Sequence, residues 1–144
     1  MSVSLKEKTM THEAKLFCGI TLITIPSIQY GGYFLLRLLS GSHQELELND
    51  FQKAMFRAGH AHAGVLVILS LICQLLADEV SLAVGLIWPV RAGVTVAAIL
   101  ISGGFFFSAM GKGVTRPNKL ISLLYIGVFV LAASLVTLGI GLLR

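Results

Sequence analysis

The side chains best suited to chemistry lie near the middle of the chain, where one arginine and two histidines precede a long apolar run. Arg57, His60 and His62 stand just before the apolar segment 65–69. An imidazole can bind a metal ion or a haem iron or transfer a proton near neutral pH, and a guanidinium can bind an anionic group. Because an arginine at membrane depth costs about 2.5 to 3.5 kcal/mol, such residues usually have a partner or a function. This segment is therefore the first place to look for a functional site.

The composition predicts an integral membrane protein. Of the 144 residues, 56% are hydrophobic and 12% are charged, whereas about a quarter of the residues in ordinary soluble domains are charged. A transmembrane helix needs about 20 mainly apolar residues, so the chain has room for four such helices and for no separate soluble domain. The predicted fold class is all-α, an up-down four-helix bundle in which residues 1–144 form a single transmembrane domain.

The apolar runs predict where the helices cross. The four predicted spans are about 16–40, 58–77, 92–110 and 120–143. The second helix is expected to begin before its span, because Asn49 or Asp50 can cap its first turn. Trp88 and Pro89 are interpreted as an interfacial ring followed by a proline that starts the third helix. These spans predict a multi-pass membrane protein.

Polar residues are distributed unevenly between the two membrane faces. With antiparallel neighbours, the end of the first helix, the start of the second, the end of the third and the start of the fourth share one face. That face gathers most of the polar side chains, namely Gln29, Tyr30, Tyr33, Arg37, His43, Arg57, His60, His62, Ser108, Met110, Lys112, Arg116, Lys119, Ser122 and Tyr125. The opposite face offers mainly Gln74, Asp78, Glu79, Arg91 and Arg144. We therefore expect a functional site on the first face.

The helical positions of the two central histidines separate them. Residues on a helix are about 100° apart, so His62 lies about 200° from His60, whereas Gly64 lies on the His60 side. His60 is therefore expected to face the interior with the small residues. The pair cannot hold one metal ion on a regular helix, and a shared metal site completed by His43 would require the helix to unwind at Gly59.

The first helix offers polar partners for His60. Gln29, Tyr33 and Arg37 are spaced by four residues and Tyr30 is adjacent, so that phenol hydroxyls and a guanidinium are expected to reach His60 across the interface. The predicted cofactor-binding residues are His60, Tyr30, Tyr33, Arg37 and Arg57, and the predicted metal ligands are His60, His62 and His43. The alternatives are a packing histidine bonded to a tyrosine or a carbonyl and, for the two arginines, interfacial anchors.

The segment Gly59–Leu66, with the sequence Gly-His-Ala-His-Ala-Gly-Val-Leu, resembles the opening of a helix in oxidase-subunit-I-like and nitric-oxide-reductase-like membrane proteins. In those families such histidines can serve haem, so the resemblance implies haem as a candidate cofactor. The remaining histidines, His12 and His43, lie outside the predicted spans. As a whole, the chain resembles small, uncharacterised four-helix membrane proteins of bacteria, and this resemblance implies a location in the bacterial cytoplasmic (inner) membrane.

Several functional classes receive no support from the sequence. It contains no glycine-rich phosphate loop, no C-x-x-C, no H-E-x-x-H and no nucleophile elbow. None of the predicted spans carries an aspartate or glutamate in its interior, which weakens the hypothesis of a carboxylate-driven proton pump or cation transporter. The basic segment 112–119 is expected to face anionic lipid rather than nucleic acid.

Three hypotheses of function follow from the sequence. The first is a binding or redox-accessory module that holds a haem, a metal ion or a quinone head group near His60. The second is a structural or assembly subunit of a membrane complex without chemistry of its own, and the third is a small oligomeric permease. The expected partners are membrane lipids and either other membrane subunits or further copies of the chain. The sequence identifies neither a particular cofactor nor an enzymatic activity.

Overall fold

The structure, a computed structural model, describes residues 9–40 and 48–144. These residues form four helices and no strand. The helices are α1 (His12–Leu39), α2 (Asp50–Ala77), α3 (Val84–Ser108) and α4 (Ile121–Leu142). The prediction of an all-α chain with four helices is confirmed.

The first two helices begin at side-chain caps. The Thr11 hydroxyl accepts a hydrogen bond from the Ala14 backbone at 3.2 Å and so caps α1. Asn49 accepts from the Gln52 backbone at 2.9 Å, and the Gln52 amide oxygen accepts in return from the Asn49 backbone at 3.4 Å. This capping box satisfies N–H groups that have no partner within the helix. It confirms that α2 begins before its predicted span.

The third helix begins earlier than predicted. It starts at Val84, so Pro89 lies inside the helix, and the prediction that Pro89 starts it is wrong. A proline at this position removes the backbone bond to the carbonyl of Gly85. The residues before Pro89 nevertheless gain burial in the helical state, because Ile87 packs against the core cluster that contains Cys73 and Leu138. Tertiary packing therefore extends the helix past the signal in the sequence.

Each helix packs antiparallel on the next one along the chain. Gly32 of α1 faces His60 of α2, Gln74 of α2 is bonded to Arg91 of α3, and Gly104 of α3 lies against Leu124 of α4. Among the described helices, α1 and α4 do not pack on each other. The up-down order is thus as predicted, but the four helices form an open row with α1 and α4 as its edges rather than a closed bundle.

Glycines explain why α3 and α4 approach closely. A Cβ atom built on Gly104 would lie 2.5 Å from the backbone nitrogen of Leu124, and one on Gly127 would lie 2.7 Å from the Ile101 side chain. Such distances exclude a larger residue without a shift of the backbone. Small residues at these positions let the two helices pack backbone to backbone, as is common in membrane proteins.

The apolar character of the helices differs along the row. Within the described residues, α2, α3 and α4 are long and apolar enough to cross a membrane, and α1 is not among them. Polar residues such as Thr21, Thr24, Ser27 and Gln29 lower the hydropathy of α1. The composition of three helices therefore supports the predicted membrane protein directly, whereas the fourth span depends on how α1 packs.

Candidate functional site

His60 faces α1. Its imidazole is partly buried, and a Cβ atom built on Gly32 would lie 2.9 Å from both Cε1 and Nε2 of the ring. The missing side chain at residue 32 therefore makes the space that the imidazole fills. No hydrogen bond joins His60 to any described residue. His60 lies at the interface between α1 and α2, as its helical position predicts.

His62 faces α3 instead. Its Nδ1 lies 2.8 Å from the carbonyl oxygen of Ala58 in the preceding turn, which suits the tautomer that carries the proton on Nδ1. The ring packs on Phe105, with 4.9 Å between the two ring centroids. His60 and His62 thus lie on opposite sides of α2, in agreement with the angle expected from the sequence.

The geometry gives no support to a metal site. α2 is a continuous helix from Asp50 to Ala77, so the unwinding at Gly59 that a shared metal site would require is not observed. His43 falls in the segment 41–47, outside the described residues. Among residues 9–40 and 48–144, no group of three histidine, cysteine, aspartate or glutamate side chains could hold a metal ion. Both cysteines are free thiols, and Cys73 is buried in the core.

The polar stripe of α1 faces away from the other helices. The side chains of Tyr30 and Tyr33 are 69% and 57% exposed, and Gln29 and Arg37 are exposed as well. The Arg37 guanidinium lies 6.0 Å from the centre of the Tyr33 ring on the same helix. The inward side of this half of α1 is formed by Leu35 and Leu38 and by Gly32. The expected contact between the stripe and His60 is therefore not formed.

Arg57 is also exposed and bonds within its own helix. Its Nε donates to the carbonyl oxygen of Lys53 at 3.2 Å. None of Tyr30, Tyr33, Arg37 and Arg57 makes a hydrogen bond to His60. The structure thus places the predicted cofactor-binding residues at one end of the helix row without bringing them together, and their role in binding stays a prediction.

A connected polar network lies at the opposite end of the row, where the sequence offered few candidates. The Arg91 side chain of α3 forms an ion pair with Asp78, the residue that follows α2. The two side chains are only 6% and 9% exposed. Arg91 also donates to the backbone and side-chain oxygens of Gln74 at 3.2 and 3.3 Å, and the Gln74 amide donates to the Arg91 carbonyl at 2.8 Å.

The same network holds the start of α1. The Thr11 backbone N–H donates to one carboxylate oxygen of Asp78 at 2.9 Å, and the Thr11 hydroxyl donates to the other at 2.7 Å. Thr11 is also the residue that caps α1. Three helices are therefore tied together by Thr11, Gln74, Asp78 and Arg91, and we call this group the Arg91 network.

The electrostatics of Asp78 reflect these partners. Burial of the carboxylate raises its pKa, but the hydrogen bonds from Thr11 and the ion pair with Arg91 more than offset that effect. The pKa of Asp78 consequently lies below its ordinary value. Since both terminal nitrogens of Arg91 and both carboxylate oxygens of Asp78 bond to protein partners, the Arg91 network is suited to holding helices together rather than to binding a ligand.

The polar residues between the two ends do not form a continuous path. Ser70 of α2 and Thr95 of α3 share a hydrogen bond of 2.6 Å. Toward the His60 end, the next layer of the described core is apolar and contains Leu66, Ala98 and Ile101. Within the part of the chain that the structure describes, this apolar layer separates Ser70 and Thr95 from the polar groups beyond it.

The sequence contained a signal for the Arg91 network that residue counting missed. Asp78 closes α2, and Arg91 lies two turns into α3, after a connection of only six residues, 78–83. A short connection makes α2 and α3 antiparallel neighbours, so opposite charges on its two sides are candidates for pairing. The number of polar residues at each end gave no information about such pairing.

Comparison with known proteins identifies no relative: no family model matches the chain, and no curated protein or solved structure matches it either. The resemblance of Gly59–Leu66 to haem-serving helices therefore stays a prediction.

Proposed function

We propose that this chain is a multi-pass membrane subunit that assembles with other transmembrane helices through α1 and has no chemistry of its own. The observation that carries the proposal is the outward orientation of the polar stripe formed by Gln29, Tyr30, Tyr33 and Arg37. We call these four side chains the outer stripe.

α1 lies in the bilayer because of its packing on α2. Each of these helices has 28 residues, which corresponds to about 42 Å and exceeds a hydrocarbon core of about 30 Å. Thr11 meets Asp78 at one end of the pair, and Gly32 meets His60 toward the other. A helix that runs beside a span along most of its length shares the same environment, so α1 is the fourth crossing.

The depth of each residue in the outer stripe distinguishes residues that can anchor the helix at the membrane interface from a residue that needs a protein contact. Counted from the midpoint of α1, Gln29 lies about 5 Å, Tyr33 about 11 Å and Arg37 about 17 Å toward the helix end. The hydrocarbon boundary is about 15 Å from the centre. Tyrosine and arginine are common near that boundary, where they anchor helices. Gln29 is well inside it.

Gln29 is therefore the residue that requires a protein partner. Its side chain is exposed and makes no hydrogen bond to a described residue. A primary amide in hydrocarbon without a hydrogen bond is unfavourable by about 2 kcal/mol or more. A transmembrane helix of another polypeptide that offers a hydrogen-bonding side chain at this depth would satisfy the amide.

The test compares substitutions on α1 in the protein's native membrane. A photocrosslinking residue at Tyr30 should yield a protein adduct of defined mass, whereas the same residue at Ile140 on the apolar edge of α4 should yield lipid adducts only. Gln29→Leu should reduce the Tyr30 adduct several-fold and shift the complex to the monomer mass in native mass spectrometry. Ile23→Leu, an exposed apolar change on the same helix, serves as the matched control.

Two results would contradict the proposal. One is a Tyr30 crosslink that goes to lipid, as the Ile140 crosslink does. The other is a Gln29→Leu chain that is more stable and has the same mass as the wild type, since that outcome would place Gln29 against lipid.

One observation favours a second candidate, a haem or quinone head group bound at His60. The imidazole of His60 is partly buried. It has no hydrogen-bond partner among the described residues, so Nε2 is available to bind a ligand. Purified protein that absorbs in the Soret region, or that retains a quinone in stoichiometric amount, would support this candidate. Purified protein that contains no chromophore, quinone or metal would contradict this second candidate and leave the assembly role as the remaining candidate.

A further inference from the structure

We propose that the partner of α1 is α1 of a second copy of this chain, with the Gln29 amides of the two copies hydrogen-bonded to each other about a twofold axis. The inference rests on the proposed assembly role, since it names the helix that covers α1. Three features support it: the spacing of exposed residues on α1, the chemistry of the Gln29 side chain, and the depth at which a partner must present a polar group.

A row of outward-facing residues on α1 has the spacing of a helix-pairing seam. Residues separated alternately by three and four positions, an average of 3.5, form the contact line between two supercoiled helices. On α1 this spacing continues over residues 19–36 without meeting a buried residue. The row, which we call the Gln29 seam, contains Gly19, Leu22, Pro26, Gln29, Tyr33 and Leu36.

The amide of Gln29 selects this row over its neighbour. A second row with the same spacing runs through Ile23, Tyr30 and Arg37 and is exposed as well. Pairing through that second row would leave Gln29 at the edge of the contact and its amide facing lipid. Pairing through the Gln29 seam places the amide between the helices, where a single polar residue also fixes the register of the pair.

A second copy supplies the hydrogen bonds that the Gln29 amide lacks. Copies of one membrane protein insert with one orientation, because the same sequence determines the same topology. A twofold axis along the membrane normal then places each residue of α1 opposite its counterpart at the same depth. Because a primary amide has both N–H donors and a carbonyl acceptor, each Gln29 can donate to the oxygen of the other.

The opposite edge of the helix row does not offer such a group to α1. In a head-to-tail arrangement, α1 of one copy would pack on α4 of the next. Counted from the midpoint of α4, the residue at the depth of Gln29 is Val128, about 5 Å toward the start of that helix. Val128 and the adjacent Phe129 are exposed and apolar. A different protein would need a hydrogen-bonding side chain at the same depth, whereas a second copy has one by identity.

The charged residues of α1 are compatible with a parallel pair. Arg37 lies beside the Gln29 seam, at a position that faces residue 32 of the other helix rather than the other Arg37. Lys15 continues the spacing of the seam toward the start of α1. It lies about 16 Å from the helix midpoint, at the membrane interface, where a long side chain extends its charge into water. The twofold arrangement therefore opposes no like charges within the hydrocarbon.

The test is disulfide crosslinking of the full chain, reconstituted alone in phosphatidylcholine vesicles at a low ratio of protein to lipid. Cys18→Ala and Cys73→Ala first remove the two native thiols. Single cysteines are then placed in the Gln29 seam as Leu22→Cys or Leu36→Cys, and beside it as Ile23→Cys. These three positions are all more than half exposed, so Ile23→Cys is a matched control for random collisions.

Oxidation with copper phenanthroline should join the two seam variants into a covalent dimer of twice the chain mass. The yield should be several-fold higher than for Ile23→Cys, because a twofold axis brings only seam residues face to face with their counterparts. Adding Gln29→Leu to Leu22→Cys should reduce the dimer several-fold, and Gln29→Asn, which keeps an amide, should retain more of it. The photocrosslink from Tyr30 in the native membrane should also give twice the chain mass, a measurement that needs no added cysteine.

The outcomes separate this inference from the assembly role on which it rests. A Tyr30 adduct with a different protein, together with equal crosslinking of Leu22→Cys and Ile23→Cys, would overturn the second copy and keep the assembly role. A dimer that is strongest at Ile23→Cys, or that is unaffected by Gln29→Leu, would overturn the contact between the two Gln29 amides. A Tyr30 adduct with lipid would contradict both.

Discussion

The two ends of the helix row hold similar kinds of side chain and use them differently. At one end, Thr11, Gln74, Asp78 and Arg91 bond to one another across three helices. At the other end, Arg57 and His62 bond within their own helix, and the outer stripe of α1 faces away from the row. The end with fewer polar residues is therefore the connected one. What matters is whether a polar residue lies on a seam between helices.

Glycines decide which residues lie on the seam at the His60 end. Gly32 brings α1 against the ring of His60, and Gly59 lies against the ring of Phe106 on α3. With these positions taken by close contacts, the tyrosines on either side of Gly32 are turned outward. At the Arg91 end, the long side chains of Gln74 and Arg91 fill the seam between α2 and α3 and bond to each other across it.

The largest expected effect comes from breaking the Arg91 network. Arg91→Met leaves the buried Asp78 carboxylate without its counter-charge, which should lower the free energy of unfolding by about 3 to 5 kcal/mol. The measurement is chemical or thermal unfolding in detergent, with Arg57→Met as an exposed control that should change little. Replacing both partners, as Arg91→Met with Asp78→Leu, should recover much of the loss. A double variant as unstable as the single one would mean that the ion pair contributes little.

Acid should weaken the same network to a smaller extent. The pKa of Asp78 is lower in the folded chain than in the unfolded chain, so the stabilisation is fully present above the ordinary carboxyl pKa of about 3.9. It is lost as the pH falls through the lower folded value. Unfolding measured from pH 6 downward should show this loss in the wild type, and Asp78→Asn should flatten it. If the Asp78→Asn variant loses as much stability at low pH as the wild type does, other carboxylates are responsible for the loss.

A single methyl group at the His60 end should have an intermediate effect. Gly32→Ala places a Cβ atom 2.9 Å from the His60 ring, and such overpacking costs about 1 to 3 kcal/mol. Gly31→Ala meets no atom within 4 Å and should be neutral or slightly stabilising, because alanine favours a helix. Adding His60→Ala to Gly32→Ala should restore stability. Equal effects of the two glycine substitutions would show that α1 is not packed on His60.

Much of the fold could be predicted because its signals are local. Three long apolar runs and the Asn49 cap lie within single helices, so the sequence was sufficient for them. The position of Pro89 could not be predicted in the same way, since the residues before it join the helix through contacts with the core around Cys73. The open row was also beyond reach, because it depends on which helices meet rather than on any one helix.

The candidate site was predictable only in part, for a related reason. Helical geometry alone places His60 and His62 on opposite sides of α2. It does not determine which neighbour each ring meets, because that depends on Gly32 of α1 and Phe105 of α3. The spacing of Tyr33 and Arg37 correctly placed them on one side of α1, but spacing does not tell whether that side faces inward or outward.

The smallest expected effect distinguishes the two histidines and the two candidate functions. If the chain serves in assembly, His60→Ala and His62→Ala should each lower stability by about 1 kcal/mol or less, the size of a single hydrogen bond or ring contact. Both variants should then purify without a change in absorbance. If His60 holds a haem or quinone, His60→Ala should abolish the bound group while the chain still inserts. His62→Ala should not abolish it, because the ring of His62 faces α3.

The measurement pairs thermal unfolding in detergent with absorbance and metal content. Equal loss of a bound group in both variants would contradict the placement of the two rings on opposite sides of α2, since only a joint His60–His62 site would be sensitive to both.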